Sequence, residues 1–81
     1  CDVDANNLAA AKLKHPNAKT FLDYRVMLEA MQNEIDAVIV STPDHSHAPA
    51  SILAMDYNKP VYCQKPLAHH VSEVREMRRK A

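Results

Sequence analysis

The amino-acid sequence predicts an α/β fold built on a parallel sheet, and three observations carry the prediction. Short apolar runs bounded by turn residues alternate with stretches of helical spacing. The links between them are short. One run, from Ile35 to Val40, is apolar at every position but Asp36, which suits a parallel strand covered by helices on both faces. A strand–helix–strand order with short links implies parallel strands joined by right-handed crossovers.

Residues 1–4 read as the end of a strand already under way. Asp4 is placed to cap a helix over 5–14, because aspartate accepts from the free N–H groups of a first turn. Ala5, Leu8, Ala9 and the stem of Lys12 share one face of that helix. His15-Pro16-Asn17 ends it, since proline cannot continue a helix. A short strand over 19–22 follows, then a helix over 24–33 capped by Asp23, with Met27, Leu28 and Met31 at helical spacing. Ser41-Thr42-Pro43-Asp44 breaks the central strand. A third helix covers 47–57 and offers Ile52, Leu53 and Met55 for burial. Asn58-Lys59-Pro60 turns the chain into a strand at Val61-Tyr62-Cys63, which Gln64-Lys65-Pro66 leaves. A last helix covers 71–80, where Glu73 stands at the third position of a capping box behind a weak N-cap, His70. There is no glycine in the sequence. Asn17, Asn33 and Asn58 stand instead at the helix ends, asparagine being the next-best residue for the left-handed conformation.

The chain has 81 residues, enough for one small domain with a modest core. Its 47% apolar and 25% charged content is that of an ordinary globular chain. Ten Lys and Arg balance ten Asp and Glu, which argues against a nucleic-acid or membrane-surface partner, because phosphate affinity needs an excess of basic residues. The basic cluster Arg75, Arg78, Arg79 and Lys80 reads as a solvated helix face. Cys1 and Cys63 make no disulfide framework, so free thiols and a reducing, cytoplasmic compartment are the default expectation. No apolar run approaches the ~20 residues that span a bilayer.

In an open parallel sheet, ligands bind beyond the carboxyl ends of the strands. Three segments leave such ends with suggestive chemistry. Asp2 can accept hydrogen bonds from ribose hydroxyls, with Asp4 wanted as a cap, although acids at strand ends also serve simply as turn residues. Ser41 through His47 packs hydroxyls, a carboxylate and two imidazoles into one turn stiffened by Pro43, ahead of a helix N-terminus that offers N–H groups to an anion. A polar loop with exposed histidines is the plainer reading of the same residues. Lys65 sits between a strand end and Pro66; partial desolvation there would fit it for proton transfer, while a surface lysine before a proline is the commoner case. A metal site from His45, His47, Cys63, His69 and His70 is disfavoured, because their spacing matches no standard zinc pattern.

Read together, four stretches resemble the Gfo/Idh/MocA family of oxidoreductases. They are Cys1-Asp2-Val3-Asp4; Phe21-Leu22-Asp23-Tyr24-Arg25-Val26-Met27-Leu28; Ile35 through Ala48; and Lys59 through Ala68. Their order and spacing fit the family's N-terminal Rossmann domain along essentially the whole chain. The resemblance implies a partial Rossmann-like parallel sheet with flanking helices that lacks the first strand. On this reading residues 1–81 are an incomplete NAD(P)-binding domain, with the glycine-rich first unit and a C-terminal substrate domain lying outside them. A sheet without its first strand leaves residues 1–4 and 36–41 without a shared neighbour.

The resemblance also implies roles. Asp2 matches the acid that binds the adenosine ribose, and its charge favours NAD over NADP by repelling a 2′-phosphate. Ser41, Thr42, Pro43 and His47 match the loop lining the nicotinamide and pyrophosphate side. Lys65 matches the lysine of the family's Glu-Lys-Pro motif, which contacts the substrate hydroxyl and assists proton transfer, and Gln64 stands beside the cofactor where the family usually has glutamate. The implied activity is hydride exchange between NAD or NADP and a sugar or cyclitol hydroxyl or ketone, the parent protein being a homo-oligomer. The alternatives are a non-catalytic binding or assembly module on a degenerate scaffold, favoured by the missing glycine turn and Gln64, and a piece of an NAD-dependent glycosidase of the same family.

Overall fold

A computed structural model describes residues 1–81. The element order is α1 (Ala5–Lys14), α2 (Tyr24–Met31), β1 (Val38–Val40), α3 (His47–Asp56), β2 (Val61–Cys63) and α4 (Val71–Lys80), with one 3-10 turn, Asp44–Ser46, ahead of α3. The chain divides into two compact units, residues 1–31 and 32–81.

In the first unit both capping expectations hold. The Asp4 carboxylate accepts the Asn6 N–H at 2.8 Å and the Asp23 carboxylate accepts the Arg25 N–H at 2.9 Å, each satisfying a donor that the first turn leaves free. The two expected strands do not form. Residues 1–4 and 19–22 are irregular and share one backbone hydrogen bond, from Asp2 N–H to the Phe21 carbonyl at 3.1 Å. Without a ladder there is no sheet in this unit for α1 to cover. Its expected apolar face accordingly stays open: Leu8 is half-buried, while Ala5, Ala9 and Lys12 are exposed. In α2 the expected face is real, with Leu28 only 1% exposed and Met27 and Met31 half-buried beside it.

The second unit is a strand–helix–strand unit closed by α4. β1 and β2 pair in parallel, Val38 opposite Val61, Ile39 opposite Tyr62 and Val40 opposite Cys63. The strand expected over 35–40 is shortened to 38–40, and its partner explains why. Pro60 precedes β2 and has no N–H to donate; its carbonyl accepts from Val38 at 2.9 Å, and the ladder starts there. Alternation puts Val38, Val40, Val61 and Cys63 toward one face, where Val40 is buried and the other three are half-buried. Ile39 and Tyr62 point the other way and are 75% and 71% exposed. The apolar run is therefore covered by a helix on one face rather than on two.

Helix α3 packs against both strands and against α4. Its buried stripe is His47, Ala50, Ser51 and Ala54, with Ala48 beside it, the spacing of one helix face. Ile52, Leu53 and Met55, expected in the core, are only half-buried. Small side chains take the contact face and let the helix approach the sheet closely. Of the three asparagines at helix ends, only Asn58 adopts positive φ, at 61°. It closes α3 in a Schellman motif: Asn58 N–H donates to the Met55 carbonyl at 2.9 Å and Lys59 N–H to the Ala54 carbonyl at 3.1 Å. Asn17 and Asn33 lie in turns without a left-handed residue.

The start of α4 is tied by Glu73, whose carboxylate accepts the N–H groups of His69 and His70 at 3.1 and 2.9 Å. Met77 is its buried anchor. The basic cluster is exposed as expected; within it Arg79 pairs with Glu76, and Lys80 reaches Asp56 at the end of α3 at 2.8 Å.

Candidate functional site

The parallel pairing decides the geometry of the site. Because β1 and β2 run the same way, the segments leaving them emerge at the same end of the sheet, one strand apart. The Gln64 N–H donates to the Val40 carbonyl at 2.8 Å, so the two exits are joined by a backbone bond at their first step. Ser41, Thr42, Pro43, His47, Gln64 and Lys65 are all carried by this end of the second unit. Asp2 belongs to the first unit.

Ser41, Thr42 and Pro43 are exposed. Pro43 holds an extended backbone, φ −55° and ψ 149°, and its carbonyl accepts the Ser46 N–H at 2.9 Å to start the 3-10 turn that leads into α3. The anion-binding helix start expected behind this loop is only partly available. The His47 N–H donates to the Asp44 carbonyl, Pro49 supplies no N–H, and His47 and Ala48 are buried.

Gln64 shapes the neighbouring turn. Its side-chain oxygen Oε1 accepts the Lys65 N–H at 2.8 Å. A glutamate carboxylate would offer an acceptor at the same atom, so the amide keeps the turn while removing the negative charge. A cis peptide bond joins Lys65 to Pro66. Lys65 is exposed; the partial desolvation expected for it is not supplied by this chain. The free thiol of Cys63 contacts the carbonyls of Gln64 and Leu67 at 3.5 and 3.7 Å.

His47 is the residue whose environment sequence reasoning missed. It is 1% exposed, and both ring nitrogens face backbone carbonyls: Nδ1 lies 2.6 Å from the Pro66 oxygen and Nε2 lies 2.7 Å from the Thr42 oxygen. A carbonyl only accepts, so whichever nitrogen carries a proton donates to the carbonyl it faces. Both of its ring nitrogens face the protein's own backbone. The sequence gives its position at the start of the third helix and no sign of its burial.

In the first unit, Asp2 Oδ1 accepts the Asp4 N–H at 2.8 Å and Oδ2 accepts from the Asn7 amide at 3.3 Å. These fix the carboxylate as a turn residue would be fixed. They leave part of its capacity of roughly four lone-pair sites for further donors. No cluster of three or more His, Cys, Asp or Glu side chains has metal-binding geometry. An open depression bordered by Met55, Lys59 and Val61 lies at the amino end of β2, at the opposite end of the strand from these loops.

Residues 1–81 match the pattern of the Gfo/Idh/MocA oxidoreductase family, NAD-binding with a Rossmann fold. The chain belongs to that family. Among its Gfo/Idh/MocA relatives, the inositol 2-dehydrogenase of Salmonella paratyphi B is 33% identical over 69 residues, covering 84% of this chain and 20% of the relative. The inositol 2-dehydrogenase of Klebsiella pneumoniae subsp. pneumoniae is 34% identical over 68 residues, 83% of this chain and 20% of the relative. The scyllo-inositol 2-dehydrogenase (NADP(+)) of Bacillus subtilis is 36% identical over 64 residues, 79% of this chain and 19% of the relative. The chain thus spans about a fifth of the length of these Gfo/Idh/MocA relatives. No helix is long and apolar enough to cross a membrane.

Proposed function

We propose that this chain is the nucleotide-side part of an NAD(P)-dependent oxidoreductase that interconverts a sugar or cyclitol hydroxyl and its ketone. The observation that carries the proposal is the parallel pairing that delivers the Thr42-Pro43 loop and the Gln64-Lys65-Pro66 turn to the same end of the sheet, joined by the Gln64–Val40 bond. The names of the inositol dehydrogenases among its relatives support a cyclitol as the substrate class.

On this reading the exposed hydroxyls of Ser41 and Thr42, stiffened by Pro43, form a ledge that fits the nicotinamide side of the cofactor. Asp2 holds the adenosine ribose through its free lone pairs and favours NAD, with its carboxylate already oriented by Asp4 and Asn7. Gln64 lines the cofactor and sets the turn that carries Lys65. The nicotinamide, when bound, supplies the hydride acceptor. Lys65 as a neutral amine takes the proton from the substrate hydroxyl as the carbon–hydrogen bond gives up its hydride, and returns that proton in the reverse direction. Its exposure here leaves the amine end open to a substrate.

The test is Lys65→Met in the full-length oxidoreductase, assayed against cyclitols and aldoses with NAD and with NADP. Removing a general acid–base group is expected to lower kcat by about 10²–10⁴-fold. Turnover close to that of the unmutated enzyme would overturn the assignment.

A further inference from the structure

We infer that His47 is a positioning residue for Lys65, holding the Lys65–Pro66 turn against the Thr42 loop through its ring rather than touching cofactor or substrate. The inference deepens the dehydrogenase reading and rests on it.

Three observations converge on the ring. It is almost wholly buried, so its nitrogens cannot be solvated from outside and must find partners within the protein. Its two partners are the carbonyls of Thr42 and Pro66, one from each segment leaving the paired strands. The backbone bond from Gln64 to Val40 joins the same two segments before they diverge, so His47 closes the far side of a small frame that contains Lys65. The carbonyl of Pro66 lies one residue beyond Lys65, whose own N–H is held by Gln64 Oε1. Backbone on both sides of the lysine is therefore anchored, by Gln64 before it and by His47 after it. The base of the lysine side chain is fixed although its tip is exposed.

The rigidity of the anchor comes from α3. His47 is the first residue of that helix, and Ala50, Ser51 and Ala54 behind it form the buried stripe against the sheet. A residue on a packed helix places its ring more reproducibly than one on a loop, which is what a turn carrying a proton-transfer group needs.

The test uses the full-length oxidoreductase with His47→Leu, His47→Asn, Lys65→Met and the His47→Leu/Lys65→Met pair, read by steady-state kinetics and by amide exchange. His47→Leu is expected to lower kcat by about 10–100-fold, the scale on which misplacing a reacting group by ~1 Å acts. The same change in the Lys65→Met background is expected to cost less than about threefold, because residues that act through one another are not additive. His47→Asn puts an amide donor near the Nδ1 position, facing Pro66, and is expected to recover part of the loss. Exchange of the Lys65 and Leu67 amides is expected to quicken in His47→Leu while the α4 amides keep their protection.

Losses that multiply in the double variant, or an asparagine variant no better than leucine, would overturn the positioning role. So would unchanged exchange at Lys65 and Leu67. A general loss of protection across α3 and α4 would make His47 a fold residue only and also count against it. Failure of the dehydrogenase reading looks different: Lys65→Met itself leaves turnover intact, whatever the exchange data show.

Discussion

Replacing Asn58 with alanine should destabilise the chain by up to about 1–2 kcal/mol, the left-handed cost that asparagine's short polar side chain offsets and alanine bears in full. The structure fixes both the site and the scale. Asn58 stands at φ 61°, and two backbone bonds depend on that conformation, to the carbonyls of Met55 and Ala54. Neither bond involves the asparagine side chain, so both can persist in the alanine variant and the change reads the preference for the left-handed region. Glycine is the matched control. It relieves the Cβ conflict but adds freedom to the unfolded chain, and the two effects are of similar size, so Asn58→Gly should stay within about 0.5 kcal/mol of the parent. Guanidinium unfolding of the full chain measures all three, with the denaturant slope expected to be unchanged. By melting, the alanine variant should lie roughly 4–8 °C lower per kcal/mol for a domain of this size. Alanine and glycine variants that unfold together would refute the reasoning, because only one of them carries a Cβ.

Two further predictions follow from local chemistry. Hydrogen bonding from the Arg25 guanidinium, then from the Arg25 N–H, holds the Asp23 carboxyl below its ordinary value. The sign follows: a carboxyl lowered on folding stabilises above its unfolded value, and that stability is lost as pH falls through the lowered folded value. The melting difference between the parent and Asp23→Asn, which keeps a helix cap, should thus be full at neutral pH and vanish in acid; both partners are exposed, so it should be small, and a difference that grows on acidification would contradict the sign. Ser51 is fully buried with an unpartnered hydroxyl, so Ser51→Ala should raise stability by up to about 1 kcal/mol in denaturant titration, and a clear loss would mean the hydroxyl has a partner.

Helices and caps were the most legible part of this sequence, because their signals are local. Asp4 and Asp23 sit next to the N–H groups they satisfy, and a reader of the sequence sees both sides of the bond. The strands were less so. Nothing within residues 35–40 says that pairing stops at Val38; that is dictated by Pro60, on the partner. Residues 1–4 and 19–22 have strand-like composition, and composition does not supply a partner ladder. Three asparagines offered themselves for left-handed turns and only Asn58 took one, because the helix it closes is followed at once by a strand whose direction the turn must set. Among the candidate site residues, the loop and turn were visible as motifs. The environment of His47 was not, since one of its two partners lies 19 residues further along the chain.

The pairing of β1 with β2 has a kinetic consequence. A helix of ten residues forms on about the microsecond scale from contacts near in sequence, whereas the ladder from residue 38 to residue 61 closes across everything between. Chain closure over that distance is entropically opposed, and a preformed α3 eases it by replacing ten free residues with one rigid rod about 15 Å long. The Thr42 loop and the Lys65 turn meet only when the ladder shuts. The chemistry-bearing end of this unit is thus expected to form late in folding.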